Sequence, residues 1–90
     1  MTLRIEKLES EKKVTFVVSG RLDALGLVEL GRLVDDNKKE RRFSLDLKDV
    51  RLVDRSAVRF LAFCESTGMS LENCPAYIRD WILREEFSRS

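Results

Sequence analysis

The chain contains no histidine, and it has only two cysteines, one proline and one tryptophan among its 90 residues. Without histidine it lacks the commonest general base and the commonest zinc ligand. Its cysteines, Cys64 and Cys74, do not form a CxxC pair, and no glycine-rich phosphate loop is present. We therefore expect no enzyme active site, no cofactor and no metal, and we expect both cysteines to stay unpaired in a reducing cytosol.

An excess of charge of one sign is missing too. Seventeen basic and sixteen acidic residues leave a net charge of +1, which gives no broad field for nucleic acid or anionic lipid. No apolar run approaches the roughly 20 residues that span a bilayer, and the first residues have no signal-peptide profile. We expect a cytoplasmic protein without nucleic-acid binding or membrane insertion, and we interpret the basic run at 38–42 as a solvated helix end.

What is present is the hydrophobic patterning of one small domain spanning residues 1–90. Hydrophobic residues make up 43% of the chain, enough for a single modest core. Alternating apolar residues predict strands near residues 3–8, 14–19 and 43–47, and a short apolar segment predicts a fourth near 69–72. Helical spacing and capping residues predict helices that begin near Asp23, Asp54 and Pro75.

The order of these elements predicts the fold class. The first two strands should form a hairpin, and strands joined through helices should run parallel by right-handed crossovers. We therefore predict an α/β fold, a mixed sheet of about four strands with its helices mainly on one face. We expect Gly20 to end the second strand, residues 48–53 to form a loop, and residues 84–90 to form a polar tail. The predicted core includes Leu45, Leu47, Leu61, Ile78 and Trp81.

The segment Asp54-Arg55-Ser56-Ala57 opens the second predicted helix. Unpaired backbone N–H groups and the positive end of the helix dipole meet there, and such a site suits a phosphate. Two interpretations of Ser56 stay open: a helix-start hydroxyl beside Asp54 as N-cap, or a phosphorylation site. Arg55 and Arg59 would lie close enough to pair with a phosphate, whereas Asp54 would repel it.

Three segments of the chain resemble the STAS domain, the fold of bacterial anti-sigma-factor antagonists. Residues 19–23, Ser-Gly-Arg-Leu-Asp, resemble the family's Gly-x-Leu-Asp start of the first helix, and residues 43–50 resemble its central strand. Residues 52–58 resemble its Asp-Ser-Ser-Gly segment, with Arg55 in place of a small residue and Ala57 in place of glycine. The resemblance runs from about residue 14 to residue 82 and does not include the family's usual C-terminal strand and helix.

The resemblance implies a non-catalytic protein-interaction module in a partner-switching circuit of transcription regulation. Its partner would be an anti-sigma factor that is itself a serine kinase, and Ser56 matches the family's phosphorylated serine. The implied partner-binding residues are Arg21, Asp23, Asp54, Arg55, Ser56 and Arg59. For Asp23 a role as helix cap is the simpler interpretation.

Two further expectations concern other partners. The alternative function is an unphosphorylated STAS accessory subunit of an ABC-type lipid-transport complex, where the same surface would dock constitutively on an ATPase subunit. A sheet without the family's closing strand would also leave its fourth strand at an edge. Such an edge would allow a homodimer to form through strand addition.

Overall fold

The computed structural model describes residues 3–37 and 42–88. Its elements are β1 (Arg4–Glu9), β2 (Lys13–Leu22), α1 (Ala24–Asn37), β3 (Arg42–Val53), α2 (Arg55–Ser66), β4 (Ser70–Glu72) and α3 (Ala76–Ser88). β1 and β2 pair antiparallel, β2 and β3 parallel, and β3 and β4 parallel, so the sheet order is β1-β2-β3-β4. The predicted α/β fold with a mixed four-stranded sheet and three helices is confirmed.

The core lies between the sheet and the helices. Along β2, Val14, Phe16 and Val18 are buried while the residues between them are partly exposed, because successive side chains of a strand point to opposite faces. Four of the predicted core residues are fully buried, namely Leu45, Leu47, Leu61 and Ile78. Trp81 is only partly buried and packs against this cluster from outside.

β3 is longer than the alternation predicts. It is 12 residues long, so the loop predicted at 48–53 was wrong. Its register with β2 shifts twice, once next to Gly20, and Gly20 itself, at φ +89°, lies inside β2 rather than at its end. Across these shifts the buried positions of β3 are three residues apart, at Leu47, Val50 and Val53. A bulge adds a residue to one strand and breaks the period of two.

The C-terminal segment is helical where a polar tail was predicted. α3 begins directly after Pro75, whose carbonyl oxygen accepts the N–H groups of Ile78 and Arg79, and it continues to Ser88. Glu85, within this segment, is buried. The expected tail was therefore wrong over residues 84–88, and the basic run at 38–41 lies outside the described residues.

Cys64 and Cys74 are free, as expected. Burial, together with the nearby Asp35 charge, raises the pKa of the Cys64 thiol to about 11. Burial also raises the pKa of Cys74. Both thiols are therefore protonated at neutral pH, which makes them weak nucleophiles.

The sheet has two edges, formed by β1 and β4. β4 has three residues, and it pairs with β3 through Ser70, Leu71 and Glu72. Short edge strands are one of the ways in which proteins limit strand addition. Pairing of this edge with a second copy stays a prediction.

Within residues 3–37 and 42–88, no helix combines the length and the apolar character needed to cross a bilayer.

Candidate functional site

The parallel pairing of β2 and β3 brings two sequence segments together at one end of the sheet. Leu22 and Val53, the last residues of these strands, lie opposite each other. The next residues, Asp23 and Asp54, therefore follow neighbouring strands at the same end, and each precedes a helix, α1 or α2. In parallel α/β sheets this carboxyl end of the strands is the usual position of binding sites.

Asp54 connects the first residues of the two helices. Its Oδ1 accepts the backbone N–H of Ala57 at 2.9 Å and the hydroxyl of Ser56 at 2.7 Å. Its Oδ2 accepts the backbone N–H of Ala24, the first residue of α1, at 3.2 Å. Its extended backbone, at φ −109° and ψ −179°, suits an N-cap, so the predicted cap is confirmed. One carboxylate thus stabilises the starts of both α1 and α2.

These hydrogen bonds also set the ionisation of Asp54. The hydroxyl of Ser56 contributes most, followed by the N–H of Ala57, and together they lower the pKa of Asp54 below its ordinary value. Hydrogen bonds to the charged form favour that form. Ser56 is exposed, so its hydroxyl lies at the surface while donating to a carboxylate that is ionised at neutral pH.

Asp23 caps α1 in the same way. Its Oδ1 accepts the N–H of Gly26 at 3.1 Å, and its carbonyl oxygen accepts the N–H of Leu27 at 2.9 Å. Its Oδ2 pairs with the Nε of the exposed Arg21 at 3.2 Å. The interpretation of Asp23 as a helix cap is confirmed, and the structure places Arg21, Asp23, Asp54 and Ser56 at one end of the sheet.

Arg55 and Arg59, the other two predicted site residues, contact α3. The Nε of Arg55 donates to Oε1 of Glu85 at 3.0 Å, and the Nε of Arg59 lies 3.5 Å from Oε2 of the same carboxylate. The side chain of Glu85 is 9% exposed, whereas those of Arg55 and Arg59 are 64% and 57% exposed. The two arginines therefore hold a buried carboxylate on one side and face solvent on the other.

Glu85 is ionised in this arrangement. Burial acts to raise the pKa of its carboxyl, but the charge of Arg55 and the hydrogen bonds from Arg55 and Arg59 together outweigh it, so the pKa lies below its ordinary value. Sequence reasoning missed Glu85 because it assigned this segment to a polar tail. Helical spacing could have found it, because Ile78, Ile82 and Glu85 fall on one face of α3 at positions i, i+4 and i+7.

Exposed apolar residues occur near the start of α1 and near the end of β3. Leu25 and Val28 of α1 are 84% and 63% exposed, and their spacing of three places them on one side of the helix. Leu52, near the end of β3, is also exposed. Sequence reasoning followed the buried stripe of α1, which includes Leu30 and Val34. Leu25 and Val28 lie outside that stripe, and this position could have identified them as exposed from the sequence.

The site is built from polar groups that pair with one another within the domain. In the ranges 3–37 and 42–88, no group of three or more histidine, cysteine or acidic residues is arranged to hold a metal ion. The polar groups of the site are a hydroxyl, capping carboxylates and guanidinium groups, and each of them has a partner within the domain. What the arrangement presents outward is charge and apolar surface at the starts of two helices.

Comparisons with known proteins agree with this fold. No protein-family model matches the chain, and no curated protein matches it in sequence. Among solved structures, it is similar to an uncharacterized protein of the DUF3478 family from Shewanella loihica PV-4, which has a SpoIIAA-like fold. The match covers 98% of this chain and 79% of that chain, with a TM-score of 0.56 and 13% identity. At this identity the likeness shows the fold alone: the chain has a SpoIIAA-like, and thus STAS-like, fold.

Proposed function

We propose that this chain is a non-catalytic protein-interaction module that binds a regulatory protein through the end of the sheet where α1 and α2 begin. The observation that carries the proposal is that Leu25 and Val28 are exposed in the first two turns of α1, the helix whose start donates hydrogen bonds to the carboxylates of Asp23 and Asp54. Exposed apolar side chains rimmed by charged groups are typical of protein interfaces. The STAS-like fold supports a partner of the kind that the resemblance implies, an anti-sigma factor with serine kinase activity.

Phosphorylation of Ser56 would act on this surface directly. A phosphate adds roughly −1.5 to −2 charges at pH 7. It would also remove the proton that Ser56 now donates to Asp54 at 2.7 Å, placing two anions side by side. Because the carboxylate of Asp54 also accepts the N–H of Ala24, the repulsion would disturb the starts of both helices. A partner bound there would meet both a new charge and an altered surface.

A second candidate function is a constitutive accessory subunit of an ABC-type lipid-transport complex, docked on its ATPase subunit without phosphorylation. The specific observation in its favour is that the groups around Ser56 are already engaged. The Ser56 hydroxyl is bonded to Asp54, and Arg55 and Arg59 contact Glu85. In this reading Ser56 is a helix-start residue, and the same α1 surface binds a permanent partner.

The binding surface is tested by affinity capture with matched variants. Leu25→Glu combined with Val28→Glu places two charges in the proposed interface, and we expect it to abolish capture of the partner retained by the wild-type chain. Leu83→Glu, a substitution of an exposed leucine on α3, serves as the control and should retain it. Mass spectrometry then identifies the partner as a serine kinase or an ABC ATPase. Equal capture by all three proteins would contradict the proposed surface.

The switch is tested at Ser56 on the identified partner. Ser56→Asp should weaken binding and Ser56→Ala should not, whereas Ser10→Asp, in the turn that precedes β2 and thus at the opposite end of that strand, should leave binding unchanged. Aspartate carries about one charge where phosphate carries nearly two, so mass spectrometry of the native protein for phosphoserine is the decisive measurement. Equal binding by all variants, with no phosphate at Ser56, would favour the constitutive subunit.

A further inference from the structure

Near the start of α2, the ion pairs that the described residues make with α3 contain more positive than negative charge. Arg55 and Arg59 share the single carboxylate of Glu85, which leaves one positive charge in excess. Each contact with Glu85 uses the Nε of an arginine, and a guanidinium carries four further N–H donors on its two Nη atoms. Because both arginine side chains are more than half exposed, these donors are accessible to an anion outside the domain.

A groove on α3 includes the same residue, Glu85, in its lining. It has a volume of about 450 Å³ and is lined by Tyr77, Asp80, Trp81, Arg84 and Glu85. Asp80 and Arg84 pair with each other at 2.8 Å, so their charges offset one another. What the groove offers a partner is therefore the partly exposed aromatic surface of Tyr77 and Trp81, adjoining the arginine pair through Glu85.

We propose that this arginine pair and this aromatic groove together form a second docking surface, which takes a short segment of a partner protein carrying an acidic side chain next to an apolar one. The acidic group would pair with Arg55 and Arg59, and the apolar side chain would pack on Tyr77 and Trp81. The proposal rests on the proposed function, since it presupposes that the domain binds a protein. It adds a partner chemistry and a surface separate from Leu25 and Val28 on α1.

The role of Glu85 in this surface is to position the arginines. A free arginine side chain loses rotamer freedom when it binds an anion, and that loss reduces affinity. Here the buried carboxylate already restrains both guanidinium groups. Planar guanidinium groups are also the side chains best suited to hydrogen-bond a carboxylate through two parallel N–H groups. Charge and geometry both match an acidic partner side chain.

The test uses the isolated 90-residue chain and NMR titration. The probe is the peptide acetyl-Asp-Leu-Phe-Asp-amide, compared with acetyl-Lys-Leu-Phe-Lys-amide and with inorganic phosphate at equal ionic strength. We expect the acidic peptide to shift the Nε–H signals of Arg55 and Arg59 and the indole N–H of Trp81 along one saturable curve. The basic peptide should shift none of them. A response to phosphate as strong as that to the acidic peptide would mean that a simple anion is recognised, and would overturn the proposal.

Matched variants assign the binding to this surface. Arg55→Gln and Arg59→Gln should each lower the affinity for the acidic peptide by roughly fivefold, the size expected for loss of an exposed ion pair. Tyr77→Ala, at an exposed position, should also weaken it. Arg32→Gln removes the same charge from an exposed position on α1 and should leave the affinity unchanged. Raising the salt to about 1 M, where the screening length is about 3 Å, should reduce binding to the wild-type chain.

The outcomes separate this proposal from the proposed function. No saturable shift with the acidic peptide, or equal weakening by Arg32→Gln and Arg55→Gln, would overturn the second docking surface and leave the α1 surface as proposed. Unimpaired partner capture by the Leu25→Glu, Val28→Glu protein would instead count against the α1 surface. It would not alter the peptide titration, which is measured without any natural partner.

Discussion

Two carboxylates stabilise the start of α2, and they do so by different means. Asp54 lies directly before the helix and binds backbone N–H groups and a hydroxyl. Glu85 lies on α3, 30 residues beyond Arg55, is buried, and binds two guanidinium groups. Asp54 makes local contacts with neutral donors, whereas Glu85 makes a tertiary contact between charged groups. The comparison shows that a single helix start can depend on two kinds of interaction at once.

The difference has physical consequences. Hydrogen bonds from neutral donors to a carboxylate depend less on ionic strength than the attraction between Glu85 and two arginines whose side chains are more than half exposed. A cap forms as soon as its own helix forms, whereas the contact of Glu85 requires α3 to pack against α2. The two regions should therefore respond differently to substitution, to salt and to pH, and each response can be measured.

The largest effect is expected at Leu61, which is fully buried on α2, the helix that both carboxylates contact. Leu61→Ala should lower the free energy of unfolding by about 2–5 kcal/mol, because it removes buried methyl groups and leaves a cavity. Urea denaturation followed by circular dichroism measures this loss. Phe63→Ala, two residues further along but 60% exposed, is the control and should cost much less. Wild-type stability of Leu61→Ala would show that the core beneath α2 contributes little.

The second effect concerns the cap. Asp54→Ala should destabilise the domain by about 1–2 kcal/mol, because the N-cap of α2 and the contact with the N–H of Ala24 are both lost. Asp54→Asn keeps one carbonyl oxygen as acceptor and should cost less. Urea denaturation distinguishes the two variants. Equal free energies of unfolding for Asp54→Ala and Asp54→Asn would mean that the hydrogen bonds of the cap contribute nothing measurable.

The third effect concerns the ion pairs of α3. Glu85→Gln should lower the midpoint of thermal unfolding, because Arg55 and Arg59 lose their shared counter-charge. The loss should shrink at high salt, where the ion pairs of the wild-type chain are already screened. The loss caused by Asp54→Ala should change less across that range of salt, because the hydrogen-bond donors to Asp54 are neutral. A salt-independent effect of Glu85→Gln would mean that Glu85 acts through packing rather than charge.

The same contrast explains what could be predicted from the sequence. Asp54 as N-cap and the alternation of β2 are encoded by adjacent residues, and both were predicted correctly. The contact of Glu85 depends on residues far apart in the chain, so it becomes visible only when α3 is packed. β3 was predicted too short because its bulges near Gly20 break the alternation. The exposed Leu25 and Val28 were missed because an apolar stripe identifies the buried face of α1 and gives no information about the other face.

The smallest effect on stability, and the most direct test of the geometry at Ser56, is the titration of Asp54. In the wild-type chain the pKa of Asp54 lies below its ordinary value of 3.8, first because Ser56 donates a hydrogen bond and then because Ala57 does. A carboxyl whose folded pKa is depressed stabilises the fold above its unfolded pKa, and that contribution is lost as the pH falls through the folded pKa. Protonation of Asp54 should therefore account for part of the stability that the domain loses in acid.

Ser56→Ala should raise the pKa of Asp54 toward its ordinary value, because the largest of the contributions that lower it is removed. NMR titration of the side-chain carboxyl carbons measures this pKa in both proteins. Ser66→Ala, which removes a hydroxyl from the other end of α2, is the control and should leave it unchanged. The pKa of Glu85 should also be unchanged by Ser56→Ala, since it is lowered by Arg55 and Arg59. An unchanged pKa of Asp54 in Ser56→Ala would mean that the hydroxyl of Ser56 does not donate to Asp54 in solution. A phosphate at Ser56 would then have no direct contact through which to disturb both helix starts.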